Sequence, residues 1–330
     1  MIKKTRILLS NNTAKELAPQ LTEIFGVDGY EHVTAQQIHA GETDADVCFV
    51  SREITGNSTK QNIAPDTQFF YDALRISKDL KWIQVHSAGA DRPIYLDLIA
   101  RGVMLTTSSG ASASLVAQTA LTGLLSLSRR FPQLAAAQRA HVWAPFFKTG
   151  LPPDLEGQTA TIVGWGPIGQ KLGAWLMALG LKTIVVRQSA DSLVEGARVV
   201  SFAEFKDVLP ETDWLVLACP LTPQTDQLVS AAAQALMKPS AHVINISRGA
   251  VIDETALIDA LNNGRLAGAY LDVFAQEPLP TESPLWDMPN VIATPHTAGF
   301  SDGILQRMSQ MFIQNLKHWH RGEPLFNVVK

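Results

Sequence analysis

Two sets of residues in this sequence have the types and spacing needed for chemistry. The first is Gly164-Trp165-Gly166-Pro167-Ile168-Gly169, a G-x-G-x-x-G run. It lies between an apolar stretch, Thr159-Ala160-Thr161-Ile162-Val163, and a helical pattern over 171–181. A second apolar stretch, Lys182-Thr183-Ile184-Val185-Val186, follows. In a strand–turn–helix–strand context this run is the dinucleotide fingerprint. Its first glycine makes the tight turn, its second lets the backbone approach a pyrophosphate, and its third lets helix pack on strand. The pyrophosphate would sit at the helix N-terminus, where free N–H groups and the dipole favour an anion. Such fingerprints place an Asp or Glu about 20 residues further on to take the ribose 2′-hydroxyl, whereas an Arg there accommodates a 2′-phosphate. No Asp or Glu occurs from Gly164 to Ser189, and Arg187 stands at the second strand end, 18 positions after Gly169. Gln188 and Ser189 are adjacent donors. The expected cofactor is therefore NADP(H), with NAD(H) second.

The other set consists of residues that close apolar runs: Arg187, Cys219-Pro220, Ser247-Arg248, Asp272 and Pro295-His296. In open parallel sheets the ligand crevice lies outside the carboxyl ends of the strands. Polar strand ends are common because loops are polar, yet an arginine, an aspartate and a histidine converging on one edge suggest more. A histidine can donate a proton to a carbonyl oxygen near neutral pH. A carboxylate beside it fixes its tautomer and favours its charged form. An arginine can polarise the carbonyl and pair with a carboxylate in fork geometry. Glu277 is the natural partner carboxylate for His296, while Asp253 and Glu254 read as acids at a helix start. The chemistry is proton transfer coupled to hydride transfer.

The elements that would position these groups alternate. Candidate strands at 6–9, 47–50, 82–85 and 103–105 precede the glycine run, with helical patterns at 13–25, 66–79 and 93–101. Alternation of this kind predicts parallel sheets with helices on their faces. A long amphipathic helical pattern over 112–131, opened by a Ser112 cap, connects the two halves, and 141–153 reads as a loop. The segment 302–321 is again helical and predicts a return to the first domain. The expected architecture is α/β: two Rossmann-like or flavodoxin-like domains, with the nucleotide-binding domain (111–300) inserted into a substrate-binding domain (1–110 plus 301–330).

Composition sets bounds. Of 330 residues, 46% are hydrophobic and 18% charged, an ordinary globular balance. A net charge of -4 supplies no attraction to nucleic acid or an anionic membrane surface. The two cysteines, Cys48 and Cys219, form no disulfide framework, and no apolar run is long enough for a signal peptide or a membrane span. A cytoplasmic protein with a small-molecule substrate and no membrane partner is expected. No His, Asp or Glu pair sits at metal-ligand spacing, so no metal is expected. Of the eight histidines, His32, His39, His242, His318 and His320 read as packing or surface residues. Trp143, Phe146 and Phe147 read equally as pocket, dimer contact or plain packing.

With these motifs laid out, the chain resembles the D-isomer-specific 2-hydroxyacid dehydrogenases, the group that includes glyoxylate/hydroxypyruvate reductases and formate dehydrogenase. The motifs that carry the resemblance are the glycine run, Asn245-Ile246-Ser247-Arg248-Gly249-Ala250-Val251-Ile252-Asp253-Glu254, Leu271-Asp272-Val273-Phe274 leading to Glu277-Pro278, and Asn290 through Gly299. Arg248 to Glu277 is 29 positions and Glu277 to His296 is 19, the spacing of the family's catalytic trio. The resemblance implies His296 as proton donor, Glu277 as its orienting carboxylate and Arg248 as the group that binds the 2-oxo acid. It implies that backbone N–H groups of Ser87, Ala88 and Gly89 bind the substrate carboxylate. To the cofactor it assigns Gly164, Gly166, Pro167, Ile168, Gly169, Cys219, Pro220, Thr225, Ile246, Ser247, Asp272, His296 and Gly299, with Asp272 on the nicotinamide carboxamide, beside Arg187, Gln188 and Ser189 from the strand-end reading above. It implies a homodimer paired through the nucleotide domain. Two positions depart from the family: Gln118, where glutamate is common, and Arg187, where an acid is usual. The implied reaction is reduction of a short 2-oxo acid of glyoxylate or hydroxypyruvate type to the D-2-hydroxy acid. The alternatives are a reductase of bulkier aryl or branched acids and, in another class, a nucleotide-sensing regulator of the same fold.

Overall fold

The computed structural model of the chain describes residues 4–56, 58, 62–190 and 193–329. Asp191, the first acid after the glycine run, lies outside them. The chain divides into two compact units, Met1–Ala111 with Ser301–Lys330, and Ser112–Phe300.

The first unit runs β1 (Thr5–Leu8), α1 (Asn11–Phe25), β2 (Tyr30–Val33), α2 (Ala35–His39), β3 (Val47–Val50), α3 (Arg52–Thr55), α4 (Pro65–Ile76), β4 (Trp82–Val85), α5 (Pro93–Ala100) and β5 (Met104–Thr107). Its sheet is parallel throughout, in the order β2-β1-β3-β4-β5. Every residue of β3 and β4 is buried, as expected of strands covered on both faces by helices. Ser10 caps α1 by accepting from the Thr13 N–H, and α4 and α5 each open on proline, whose missing N–H costs nothing there. β2, α2 and α3 have no counterpart in the sequence reading. They are four or five residues long, too short for periodicity to stand out, although Thr34 and Gln37 form a capping box at α2.

The second unit contains α6 (Ala113–Ser128), α7 (Phe131–Arg139), α8 (Phe146–Thr149), β6 (Thr159–Val163), α9 (Pro167–Ala178), β7 (Lys182–Arg187), β8 (Ala197–Ser201), α10 (Phe205–Val208), β9 (Trp214–Leu217), α11 (Ala231–Gln234), β10 (His242–Asn245), α12 (Glu254–Asn262), β11 (Gly268–Leu271) and β12 (Val291–Ala293). All neighbouring strands are parallel, in the order β12-β11-β10-β9-β6-β7-β8. Strand order reverses between β6 and β9, the switch point where such sheets bind ligands. The chain then returns through α13 (Ile304–Arg321), whose Phe312, Ile313 and Leu316 pack with Phe49 and Trp82 in the first unit's core.

Four local expectations are corrected. The continuous helix over 112–131 is two, because Arg130 adopts a left-handed backbone (φ 52°) between α6 and α7. Ser112 precedes α6 but makes no capping hydrogen bond, its backbone being non-extended (φ -102°, ψ 2°). α9 begins at Pro167, directly on the glycine run rather than at Lys171. The 141–153 loop holds the short α8. Among the described residues no helix is long and apolar enough to cross a membrane.

Candidate active site

The three glycines of the fingerprint meet three different constraints. Gly164 follows β6 with φ 98°, and a side chain there would lie 2.8 Å from the backbone of Ala218 and Cys219. The turns after β6 and β9 thus touch at the switch point. Gly169 sits so close to the turn that a Cβ would fall 2.2 Å from the Gly164 carbonyl oxygen. Gly166 has open space where its Cβ would be, immediately before the α9 N-terminus. A side chain would intrude where a pyrophosphate reaches the helix dipole, so the turn fits a dinucleotide.

His296 and Glu277 meet at the carboxyl edge of the same sheet. The His296 Nδ1 lies 2.8 Å from Glu277 Oε2, while Glu277 Oε1 accepts the Phe274 N–H at 3.1 Å. Burial pushes the Glu277 carboxyl up. The His296 hydrogen bond and charge, the Phe274 N–H and the Arg248 charge outweigh it, leaving the carboxyl below its ordinary value. An anionic Glu277 accepts from Nδ1–H and leaves Nε2 of the half-exposed ring as the outward face. The arrangement can hold and release one proton at a defined atom.

Each partner is held by a tertiary brace. The His296 backbone has φ 50°, a conformation unusual for a residue with a side chain. Its N–H donates to the Asp272 carbonyl at 2.8 Å, and Asp272 Oδ1 accepts from the N–H of Thr297 (2.9 Å) and Ala298 (3.2 Å). Thr294 Oγ1 donates to the same oxygen at 2.6 Å, and Ala298 N–H reaches Oδ2 at 3.0 Å. Asp272 is 3% exposed. The first acceptor role of this carboxylate is therefore to hold the turn that carries His296.

Arg248 emerges from a turn made by Asn245, whose side-chain oxygen accepts the Ser247 N–H (3.1 Å) and whose Nδ2 donates to the Arg248 carbonyl (3.1 Å). Its guanidinium donates to the Ser247 carbonyl through Nη1 at 2.7 Å. Gly249 is locked against the strand-end turn of Glu277: a Cβ would fall 1.9 Å from the Phe274 carbonyl carbon. Glu254 Oε2 accepts the Ala275 N–H at 2.9 Å, so this acid ties α12 to the same turn, whereas Asp253 caps α12 at Ala256 N. Sequence reading took both acids as helix-start residues and did not single out Asn245, Gly249 or Thr294. The only signal for Gly249 was its place directly after Arg248.

The remaining residues are placed as follows. Arg187 ends β7 opposite Ser201 of β8, with Gln188 and Ser189 next. Cys219 is buried, which pushes its thiol up to about 11 and keeps it protonated. The buried Thr225 hydroxyl donates to the Pro220 carbonyl at 2.7 Å and accepts the Thr222 N–H at 2.8 Å. It shapes the wall after β9 from within. In the first unit, Ser87 Oγ donates to the Gly89 carbonyl at 2.6 Å and Ser108 N–H to the Ser87 carbonyl at 3.0 Å, fixing the 87–89 turn. His86 before it is buried against Thr55 Oγ1 at 2.9 Å. Burial, with the charges of Arg52 and Arg92, lowers it to about 3, so it stays neutral. No group of three or more candidate metal ligands occurs among the described residues.

Parallel α/β units, a switch-point glycine turn and a histidine–carboxylate pair at the strand ends define a nicotinamide-dependent dehydrogenase. The chain belongs to the D-isomer-specific 2-hydroxyacid dehydrogenase family: the family model described as D-isomer specific 2-hydroxyacid dehydrogenase, NAD binding domain, matches residues 121–298. A glyoxylate reductase of Thermococcus litoralis is 33% identical over 265 residues, 78% of this chain and 79% of that one. The solved NADPH-dependent glyoxylate/hydroxypyruvate reductase of Sinorhizobium meliloti, in complex with NADP and sulfate, superposes with a TM-score of 0.77 at 27% identity. The match covers 99% of this chain and 98% of that one. A D-isomer specific 2-hydroxyacid dehydrogenase from Xanthobacter autotrophicus, in complex with NADPH and MES, matches with a TM-score of 0.77 at 26% identity, over 99% and 98% of the two chains. The family resemblance carried by the motifs is borne out, and the chain is an NAD(P)-dependent oxidoreductase.

Proposed function

We propose that this enzyme reduces a short 2-oxo acid of glyoxylate or hydroxypyruvate type to the D-2-hydroxy acid in the cytoplasm, and that it prefers NADPH to NADH. The observation that carries the reaction is the 2.8 Å pairing of His296 Nδ1 with an anionic Glu277, with Arg248 near enough to act on the same carboxylate. When bound, the nicotinamide supplies the hydride. His296 Nε2 gives the proton to the developing alkoxide, Glu277 keeps the ring in register, and the Arg248 fork draws charge onto the carbonyl oxygen. Backbone N–H groups of Ser87, Ala88 and Gly89 take the substrate carboxylate. Ile246, Ser247 and Gly299 line the nicotinamide end, and Pro167, Ile168 and Pro220 the pyrophosphate end. Asp272 Oδ2 meets the carboxamide beside the Ala298 N–H that it accepts, while Oδ1 accepts from Thr294 and Thr297.

Arg187 supports the cofactor preference: a guanidinium at the end of β7, with no carboxylate pairing it among the described residues, is suited to a 2′-phosphate. A homodimer is supported by the 131–151 stretch. Neither α7 nor α8 has a buried residue, and Trp143 is 92% exposed with Phe147 and Leu151 also exposed. The deciding experiment is catalytic efficiency with glyoxylate, hydroxypyruvate and phenylpyruvate, each with NADPH and NADH at one ionic strength. The short acids with NADPH should lead. Arg187→Asp should lower efficiency with NADPH by about ten- to a hundredfold, the worth of a charge-assisted hydrogen bond. Equal use of both cofactors by the parent enzyme would remove Arg187 from the role, and a lead for phenylpyruvate would replace the substrate class.

A further inference from the structure

The brace behind His296 extends one step deeper than Asp272. Thr294 Oγ1, which donates to Asp272 Oδ1 at 2.6 Å, lies 2.8 Å from the Tyr270 hydroxyl. Every partner of the Asp272 carboxylate is a donor. The single Thr294 proton therefore points at Asp272, and the Tyr270 hydroxyl must be the donor to Thr294. The donor chain has one polarity, Tyr270 to Thr294 to Asp272. Burial raises the Tyr270 phenol, the Thr294 hydrogen bond lowers it and the Asp272 charge raises it; at about 12 it keeps the proton this polarity requires.

The fold makes room for this tyrosine at a specific place. A Cβ on Gly123 of α6 would fall 2.4 Å from Tyr270 Cγ, so the tyrosine packs directly on the helix and a side chain at 123 would force it to shift. The same helix reaches the His296 turn directly, because Thr119 Oγ1 donates to the Ala298 carbonyl at 3.2 Å. Consecutive N–H groups of 296, 297 and 298 all end on Asp272, and His296 itself is held at positive φ. A non-glycine residue persists there only when its surroundings over-determine it.

We infer that Tyr270 and Thr294 are positioning residues, a buried donor chain that fixes the Asp272 carboxylate and through it the strained turn presenting His296 to Glu277. The inference rests on the reading of His296 as proton donor. Loss of the chain frees the turn to relax, which moves the imidazole off Glu277 and slows the step that needs it while substrate and nucleotide still bind.

The test uses the full-length enzyme and the variants Thr294→Val, Thr294→Ser, Tyr270→Phe, Gly123→Ala and His296→Ala. Four quantities are read: kcat and KM for glyoxylate, NADPH affinity by fluorescence titration, Tm, and amide hydrogen exchange of 296–298 without nucleotide. Thr294→Val should lower kcat by about ten- to a hundredfold with KM and NADPH affinity within about threefold, the pattern of a lost transition-state contribution. Exchange at 296–298 should quicken. Thr294→Ser, which keeps the hydroxyl, should restore both. Tyr270→Phe and Gly123→Ala should each show a smaller fall in kcat, about three- to tenfold, with the same quickened exchange; these two carry the test should Thr294→Val not fold. Thr294→Val with parental kcat and exchange, or Thr294→Ser as impaired as Thr294→Val, would overturn the donor chain while His296→Ala remains inactive. An active His296→Ala would overturn the proton-donor reading and the inference together.

Discussion

At the scale of single residues, the site depends on which atoms are already committed. Glu277 spends one oxygen on the Phe274 N–H and the other on His296, so its orientation is set before any substrate arrives. Arg248 is anchored by Nη1 to its own turn, and in the proposed reaction its planar fork also acts on the substrate carbonyl. Lysine cannot do both, because its ammonium is a single point without the fork. Arg248→Lys should therefore lower kcat/KM by about a hundredfold or more, with NADPH affinity nearly unchanged. Steady-state kinetics beside a nucleotide titration would check this. If NADPH affinity collapsed while efficiency per bound nucleotide survived, Arg248 would be a structural residue.

At the scale of elements, two strand-end turns must sit against each other for the site to exist. The turn after β10 carries Arg248 and the turn after β11 leads to Glu277, and they meet at Gly249, where the Phe274 backbone leaves no room for a Cβ. Glu254 at the start of α12 ties them again through Ala275. The obstacle at Gly249 is backbone rather than a movable side chain. Gly249→Ala should thus cost about 3 kcal/mol or more of stability, the upper range for overpacking, and abolish turnover even at temperatures where the variant stays folded. Urea unfolding paired with an activity assay would measure both. An active, undiminished variant would mean that the two turns can part freely.

At the scale of the whole molecule, stability also rests on ion pairs at the opposite edge of the first unit's sheet. Asp46, 4% exposed, accepts from Arg6 Nε (3.0 Å), the Arg6 N–H (3.1 Å) and Lys81 Nζ (3.3 Å), joining the starts of β1, β3 and β4. Burial raises the Asp46 carboxyl, but the Arg6 hydrogen bonds and charge, with Lys81, hold it below its ordinary value. A carboxyl depressed on folding stabilises fully above its unfolded pKa, about 4, and loses that contribution as pH falls through the lower folded value. Asp46→Asn should destabilise by roughly 1–3 kcal/mol at pH 7 and by progressively less below pH 4. Thermal unfolding at pH 7 and pH 3 would show the convergence; an equal deficit at both would assign the loss to packing. The same unit depends on the chain's return: Arg307 Nε donates to the Ala111 carbonyl at 3.1 Å, joining the points where the chain leaves and re-enters, and Val329 N–H donates to the Leu105 carbonyl beside β5.

The sequence by itself determined the class of fold and most of the chemistry. Buried parallel strands read as apolar runs because both faces are covered, so β3, β4, β6, β7, β9, β10 and β11 were legible, and the residue after each run falls at the ligand edge of its sheet. Glycine spacing and the identities of Arg187, Arg248, Glu277 and His296 belong to the chain and need no folding to be seen. Tertiary structure decided what local pattern cannot carry. Gly249 against Phe274, Gly123 against Tyr270 and the Asp272 carboxylate against the His296 turn are contacts between segments 22 to 147 positions apart. Such a contact leaves no periodicity in either segment. It forms only because the sheet order brings β10, β11 and α6 together, and its steric and hydrogen-bonding demands then fall on residues that look ordinary in the sequence.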